Sequence, residues 1–470
     1  MTQSRERTAL LILLAICIAS RLLTSLWYIA DPDSLRFALG AIDYNLIKMQ
    51  PHFPGYPVFM GVVKFFTFVT GSYGIAFALV GGLSTFAIIT AALKFCNTSL
   101  SRPEGVLLAA LFFFNPMLWI MGNRYMPDLM GGAVLLWILA LTIRNDHAPR
   151  SHLFAGIFLT GILAGVRLSY LPFALLPLLI TITRTRREFT SFAVLILSVA
   201  LWLLPMIIDT GWDNLLVAAN AQTSGHFEEF GGTIFNVPDI ESRRIAVVKG
   251  VIADGLGGYW DQRGTITIVI TLGFLLLMGR GAWWMFGRET DGLVITIIAV
   301  SIYIAWILLY QNVVYQSRHM LPLIPIALAL AWGGGVELMR SGIIGRLVVS
   351  LFLLGYGITG VLLALQQTTP TAIAQVTEYL NNDTEDHVIL SSGLINFYLQ
   401  SSGIEGNFVD AEHILPDQDS LLEGDLTMIG WYESVVNRRP EHTRSFHHNP
   451  YVNSIWAEIP VTEYGANRDR

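Results

Sequence analysis

Apolar runs long enough to cross a bilayer recur along this chain, and no other feature limits its fold so sharply. They lie at about 9–30, 73–95, 105–122, 127–143, 153–170, 171–183, 190–208, 265–285, 292–310, 320–337 and 347–366. A soluble domain could not bury so many. With 53% hydrophobic residues, 14% charged residues and a mean hydropathy of +0.55, the composition is that of a polytopic membrane protein. Arg5 and Arg7 precede an apolar run that continues from Ala9 past Leu26. The run is too long for a signal-peptide core and no small-residue cleavage site follows, so the first segment is expected to stay as an anchor.

The cations order these runs across the membrane. If the short apolar piece 54–69 crosses only halfway, the connections holding Arg5/Arg7, Lys94/Arg102, Arg144/Arg150, Arg184/Arg186/Arg187, Arg280/Arg288 and Arg340/Arg346 fall on one side. Excess Lys and Arg mark the cytoplasmic side. The expectation is an all-α body over residues 1–366 with about eleven spans in the plasma or inner membrane, its N-terminus cytoplasmic. The outer face then collects the loop 31–53, the turn 123–128, the long loop 209–263, the turn 311–319 and the tail. The long loop mixes Gly, Asn, aromatic and charged residues, among them His226 and Glu228, and suits a gate over a substrate cavity.

Beyond Gln366 the character changes. The last 104 residues hold 16 acidic side chains against 5 arginines and no lysine. Strand-like runs at His387–Ser391 and Asp425–Gly430 alternate with helix-like ones at Thr371–Leu380 and Gly393–Gln400, which predicts a small extracytoplasmic α/β domain over 367–470. It carries no nucleotide-binding or Ser/His/Asp motif, so recognition or support is expected of it. A net charge of −6 with scattered cations argues against a nucleic-acid partner. Cys17 and Cys96 sit in or beside apolar runs and read as small core residues.

The stretch from Ala30, ADPDSLRFALGAIDYNLIKMQPHFPGYPVF, is the most distinctive. Asp31 and Asp33 leave the first span. On a helix, Leu35, Leu39, Ile42, Leu46 and Met49 then share one side, away from Arg36, Asp43 and Lys48, the pattern of a helix lying in the membrane interface. Pro51, His52, Phe53, Pro54, Gly55, Tyr56 and Pro57 close the stretch rigidly. Such polar groups are costly in hydrocarbon and suit the mouth of a wet cavity.

An acidic pair after the first span, an amphipathic helix and a His-x-Pro-Gly-Tyr-Pro segment resemble the first extracytoplasmic loop of the GT-C membrane glycosyltransferases. The likeness is nearest to the protein O-mannosyltransferase and aminoarabinose-transferase branch. It covers about the first 60 residues and, loosely, the layout of the whole chain. Where relatives often carry Asp-Glu, this chain has Asp31-Pro32-Asp33. The resemblance implies an inverting enzyme that moves a sugar from a polyprenyl-phosphate donor to a lipid, glycan or protein acceptor outside the cytoplasm, among membrane lipids.

Such a transfer needs a base for the acceptor hydroxyl and cations for the departing phosphate. Asp31 or Asp33 suits the first task, and Asp43 could orient the acceptor. Arginine suits the second, because its planar fork matches phosphate oxygens. Arg318, in Ser-Arg-His-Met-Leu-Pro, resembles the Arg-Tyr-x-x-Pro entry to a late helix of the superfamily. Arg124 is the second candidate, with His52, Tyr56, Asp128 and His319 as further substrate-binding groups. Asp31-Pro32-Asp33 also matches the Asp-x-Asp by which some relatives hold a divalent cation, Mg or Mn, against the donor phosphate.

Each choice has a plainer competitor. Asp31 could only cap a helix, His52 could be a satisfied loop residue, and Arg124 and Arg318 could snorkel. Arg21 and Lys64 read as snorkellers or structural pairs, and His447-His448 as a surface pair. A transporter or flippase of a lipid-linked sugar is the rival function, but it would more often have two related halves, and none is visible here.

Overall fold

The computed structural model describes residues 2–143, 148–229, 231–261, 263–286, 291–382, 388–414, 422–436, 438–449, 451 and 456–466, so Arg144 and Arg288 lie outside the described residues. The helices, in chain order, are α1 (Thr2–Leu23), α2 (Pro32–Ile42), α3 (Pro57–Thr70), α4 (Tyr73–Phe95), α5 (Pro103–Phe113), α6 (Pro116–Asn123), α7 (Asp128–Thr142), α8 (Arg150–Arg167) and α9 (Leu171–Thr185). They continue with α10 (Glu188–Thr210), α11 (Trp212–Ser224), α12 (Ile240–Val248), α13 (Ile266–Phe286), α14 (Asp291–Tyr310), α15 (Ile324–Arg340), α16 (Ile343–Gln366), α17 (Ala372–Asn381) and α18 (Gly393–Ser401). By its contacts the chain divides into two compact units, Met1–Ser25 with Arg36–Gln367, and Leu26–Leu35 with Thr368–Arg470.

The first unit is the helical membrane body. Among the described residues, 7 helical runs are long and apolar enough to cross a bilayer, or up to 8 if the bent pair α5 and α6 counts as one. One of those runs, Arg150–Thr185, is in fact two legs. Arg184 donates to the Thr142 carbonyl at 3.1 Å, and a Cβ on Gly156 would strike the Thr142 side chain. In one straight helix Gly156 and Arg184 would be roughly 40 Å apart, so α8 and α9 fold back on each other at the 3₁₀ turn Leu168–Tyr170. At 14 residues, α3 is about 21 Å long, short of a ~30 Å hydrocarbon core. Close helix approach rests on absent side chains: the Cβ of an alanine at Gly81 of α4 would overlap the Gly122 carbonyl of α6.

The interfacial helix is shorter than its periodicity suggests. It ends at Ile42, where Asn45 turns the chain by accepting from the backbone N–H groups of Ile47 and Lys48 and pairing with Gln50 across a short bridge. The expected apolar side is broken accordingly. Leu46 packs with Met206 and Leu215, against Tyr44, Phe53 and Trp202, while Ile42 is 65% and Met49 37% exposed.

In the long loop, Arg243 of α12 is fully buried and donates to the carbonyls of Gly232, Leu308, Ile307 and Gln311, at 2.5 to 3.4 Å. The last carbonyls of α14 have no partners within their own helix. One guanidinium therefore satisfies them and pins the loop.

The second unit is the small α/β fold. Strands β1 (Val388–Ser391), β2 (Asn407–Asp410), β3 (Leu426–Ile429), β4 (His442–His447) and β5 (Glu458–Tyr464) form one sheet in the order β2-β1-β3-β5-β4. Strand β1 is parallel to β2 and β3, whereas β5 runs antiparallel to both β3 and β4. Leu390, Val409, Leu426, Met428 and Tyr464 fill the core. Thr371 caps α17 and donates to the Ile29 carbonyl at 2.7 Å, tying the segment Leu26–Leu35 into this unit.

Because the α4–α6 contact leaves no room for a methyl group, Gly81→Val should lower stability by about 1–3 kcal/mol. Melting of the detergent-solubilised protein checks this, and an unchanged midpoint would contradict the contact.

Candidate active site

Several candidate residues of the membrane body meet around the start of α7. Asp128, its first residue, is buried and pairs with Arg167, the last residue of α8, at 3.1 Å. Gly131 permits the approach, since a Cβ there would lie 2.8 Å from that of Arg167 and 3.1 Å from the Tyr170 ring. Tyr170 donates to the same Asp128 oxygen at 3.3 Å. The other oxygen, Oδ2, is buried without a hydrogen-bond partner among the described residues.

From Arg167 the network runs to the rigid first-loop segment. Its Nη1 donates to the Tyr56 hydroxyl at 3.2 Å, and that hydroxyl lies 3.0 Å from His52 Nε2. A guanidinium can only donate, so the phenol oxygen accepts from Arg167 and can give its own proton to His52. Tyr56 caps α3 with a left-handed backbone at φ 49°, following Gly55 at φ 78°. This pair of turns brings the Tyr56 ring onto Phe37, with ring centres 5.0 Å apart.

On the other flank, the Tyr170 and Tyr303 rings meet edge to face at 6.2 Å, and Tyr303 donates to the His319 carbonyl at 2.9 Å. Arg318, in the 3₁₀ turn Ser317–Leu323, is buried with Nη1 3.0 Å from Met126 Sδ. Met126 stands midway between Arg124 and Asp128 in sequence, and Arg124 is itself buried at the end of α6. Burial first, and Tyr73 beside it second, push the Tyr125 phenol well above its ordinary range, so it stays a neutral hydroxyl.

His52, Tyr56, Arg124, Asp128, Arg318 and His319 thus belong to one neighbourhood. Asp43 does not join it: exposed, it pairs with exposed Lys48 at 3.0 Å. Asp31 and Asp33 belong to the second unit. Asp31 is buried and its Oδ1 accepts from the Ser34 N–H at 2.7 Å, while Asp33 sits half-buried in the first turn of α2. Among the described residues these two carboxylates are not part of any cluster of three metal-ligating groups; the one such cluster is Asp410, Glu412 and His413.

Sequence reasoning passed over Arg167, Tyr170 and Tyr303. Of its two readings of Arg21, snorkeller or structural pair, the second fits, since the side chain is fully buried. The guanidinium lies 4.3 Å from the Trp119 ring centre, a cation–π contact, and among the described residues only its Nη1 has a hydrogen-bond partner, Ser20. Beside it Thr24 accepts from Trp119 Nε1 at 3.0 Å and from Asn123 Nδ2 at 2.7 Å. The end of α1 therefore grips the end of α6, next to Arg124. A charged residue inside an apolar span was the available signal.

In fold the chain is similar to solved GT-C membrane glycosyltransferases. The solved structure of ArnT from Cupriavidus metallidurans bound to undecaprenyl phosphate superposes with a TM-score of 0.57 at 11% identity, covering 96% of this chain and 97% of that one. The apo structure of the same ArnT gives 0.54 at 13% identity, over 97% of this chain and 98% of that one. No protein-family profile matches the chain, and no curated protein matches it in sequence.

Breaking the Asp128–Arg167 pair leaves one buried charge uncompensated, a loss of about 3–5 kcal/mol. Asp128→Ala and Arg167→Ala should each depress the melting point, and the double variant Asp128→Leu/Arg167→Met should recover most of it. Additive losses in the double variant would contradict the pairing.

Proposed function

We propose that this chain is a membrane glycosyltransferase. It takes a sugar from a polyprenyl-phosphate-linked donor and delivers it, with inversion, to a lipid, glycan or protein acceptor on the extracytoplasmic face. One observation carries the reading: two buried arginines, Arg124 and Arg318, flank a single turn of a body whose fold is that of an enzyme solved with undecaprenyl phosphate. The planar fork of a guanidinium matches the oxygens of a phosphate, so both side chains suit one that leaves its sugar.

In this reading Asp31 or Asp33 takes the acceptor proton as its oxygen attacks the anomeric carbon, while Arg124 and Arg318 take up the charge gathering on the phosphate. The spare Asp128 oxygen accepts from a sugar hydroxyl, and the Arg167–Tyr56–His52 chain fixes its direction. Asp43 is left a role at the acceptor's approach. The protein sits in the plasma or inner membrane with its tail outside, and a cytoplasmic signal from a reporter fused at the tail would reverse every outer assignment.

Purified protein in detergent, given labelled polyprenyl-phosphate sugar and a crude envelope acceptor, should form a labelled product. Asp31→Asn or Asp33→Asn, whichever removes the base, should cut the rate ~10²–10⁴-fold. Arg318→Ala should cut it ~10²–10³-fold. Substrate movement across vesicles without chemistry would instead identify a transporter. Near wild-type transfer in both aspartate variants would remove the base.

Mg is often held by one or two carboxylates together with substrate phosphates, so Asp31 and Asp33 could serve either as a base or as ligands of a cation on the donor phosphate. Transfer that survives EDTA would leave them the part of the base. Loss on chelation, with rescue by Mg or Mn, would reassign Asp31 and Asp33 to metal binding.

A further inference from the structure

Helices α5 and α6 are bent by 55° at a break, and the residue in that break, Asn115, is fully buried. Its side chain joins three separate parts of the membrane body. Oδ1 accepts from the Leu118 N–H at 2.9 Å and caps α6. Nδ2 donates to the Gly255 carbonyl and to the Tyr356 hydroxyl of α16, both at 2.8 Å. Both N–H groups of one amide are thus committed to elements 140 and 241 positions away.

Two routes lead from this amide to the two buried arginines. The first runs along α6, a rod of 8 residues and about 12 Å from Pro116 to Asn123. Arg124 follows directly, and its backbone N–H donates to the Ile120 carbonyl at 3.0 Å. Where the capped end of α6 is fixed therefore decides where Arg124 stands. The second route runs through the π-helical turn Lys249–Gly255, whose last carbonyl is the one that Asn115 holds. This turn packs on the 3₁₀ turn Ser317–Leu323 with no room for side chains at its glycines. A Cβ at Gly250 would lie 2.6 Å from Met320 Cγ, two residues after Arg318, and one at Gly255 would overlap the Ile324 side chain. Gly257, at φ 72°, then turns the chain against Pro116, where a Cβ would lie 3.1 Å from Cγ. Short π-helical turns are rare and concentrate at functional sites.

We infer that Asn115 is a positioning residue for the transfer reaction: it sets the spacing of Arg124 and Arg318, acting through them and not on the substrate, and this rests on the phosphate role proposed above for both. Misplacing such groups by about 1 Å is enough to cost ~10²-fold in rate.

Transfer by the full-length protein at saturating labelled polyprenyl-phosphate sugar tests it. Asn115→Ser keeps a cap for α6 but is too short to reach both Gly255 and Tyr356, and should lower kcat about 10²-fold. Tyr356→Phe removes one acceptor and leaves the cap alone; it should show a smaller loss, and it serves if Asn115→Ser does not fold. In an Arg318→Ala background each factor should shrink by about threefold or more, because one of the two groups being positioned is gone. A merely structural residue would multiply the rate by the same factor in both backgrounds. Equal factors in the two backgrounds, or wild-type kcat in the folded variants, would overturn the inference. An absence of transfer by the wild type would remove the phosphate reading and this inference together, whereas transfer with uncoupled variants would remove this inference alone.

Discussion

The membrane body depends on one ion pair more than on any other contact. Asp128 opens α7 and Arg167 closes α8, and each is buried where an unpaired charge would cost several kcal/mol. The pair can exist only if those two helix ends stay together. Through Tyr56 and His52 it also fixes where the rigid first-loop segment enters α3. Through Tyr170 and Tyr303 it reaches the backbone of His319. Five segments distant in sequence are held by groups that have no acceptable alternative partner in hydrocarbon. Polar chemistry can then be kept in register inside an apolar body.

Two further guanidinium groups do related work by different means. Arg243 is satisfied by four backbone carbonyls, so its value lies in closing the end of α14 and in holding the long loop against it. Arg21 is satisfied mainly by an aromatic face, and its neighbours Thr24 and Asn123 lock α1 to the turn that carries Arg124. A membrane body has no hydrophobic drive to bring its helices together, so packing of small residues and polar links of this kind must supply it.

Much of the fold is legible in the sequence because its signals are local. Apolar runs of span length became helices, the short piece before Gly71 stayed short, and β1, β3, α17 and α18 formed within a residue or two of where alternation and periodicity put them. The early end of α2 was not legible. The period continues to Met49, but the turn chemistry of Asn45 overrides it. For the site, the outer turns and their arginines could be found from position and residue type. Arg167 could not, since its meaning comes from Asp128, 39 positions away, and a lone arginine near Pro172 reads equally well as the end of a span. Asp31 illustrates the opposite limit, because one residue answers to both descriptions given by its surroundings: a buried N-cap and a carboxylate of the acidic pair.

A structure of the full chain with a polyprenyl phosphate bound is the most direct test of the central claim. The phosphate is expected within hydrogen-bonding distance of both Arg124 and Arg318, with Asp31 or Asp33 facing the position of the sugar's anomeric carbon. A phosphate seated away from both arginines, with the two aspartates turned toward protein alone, would contradict it.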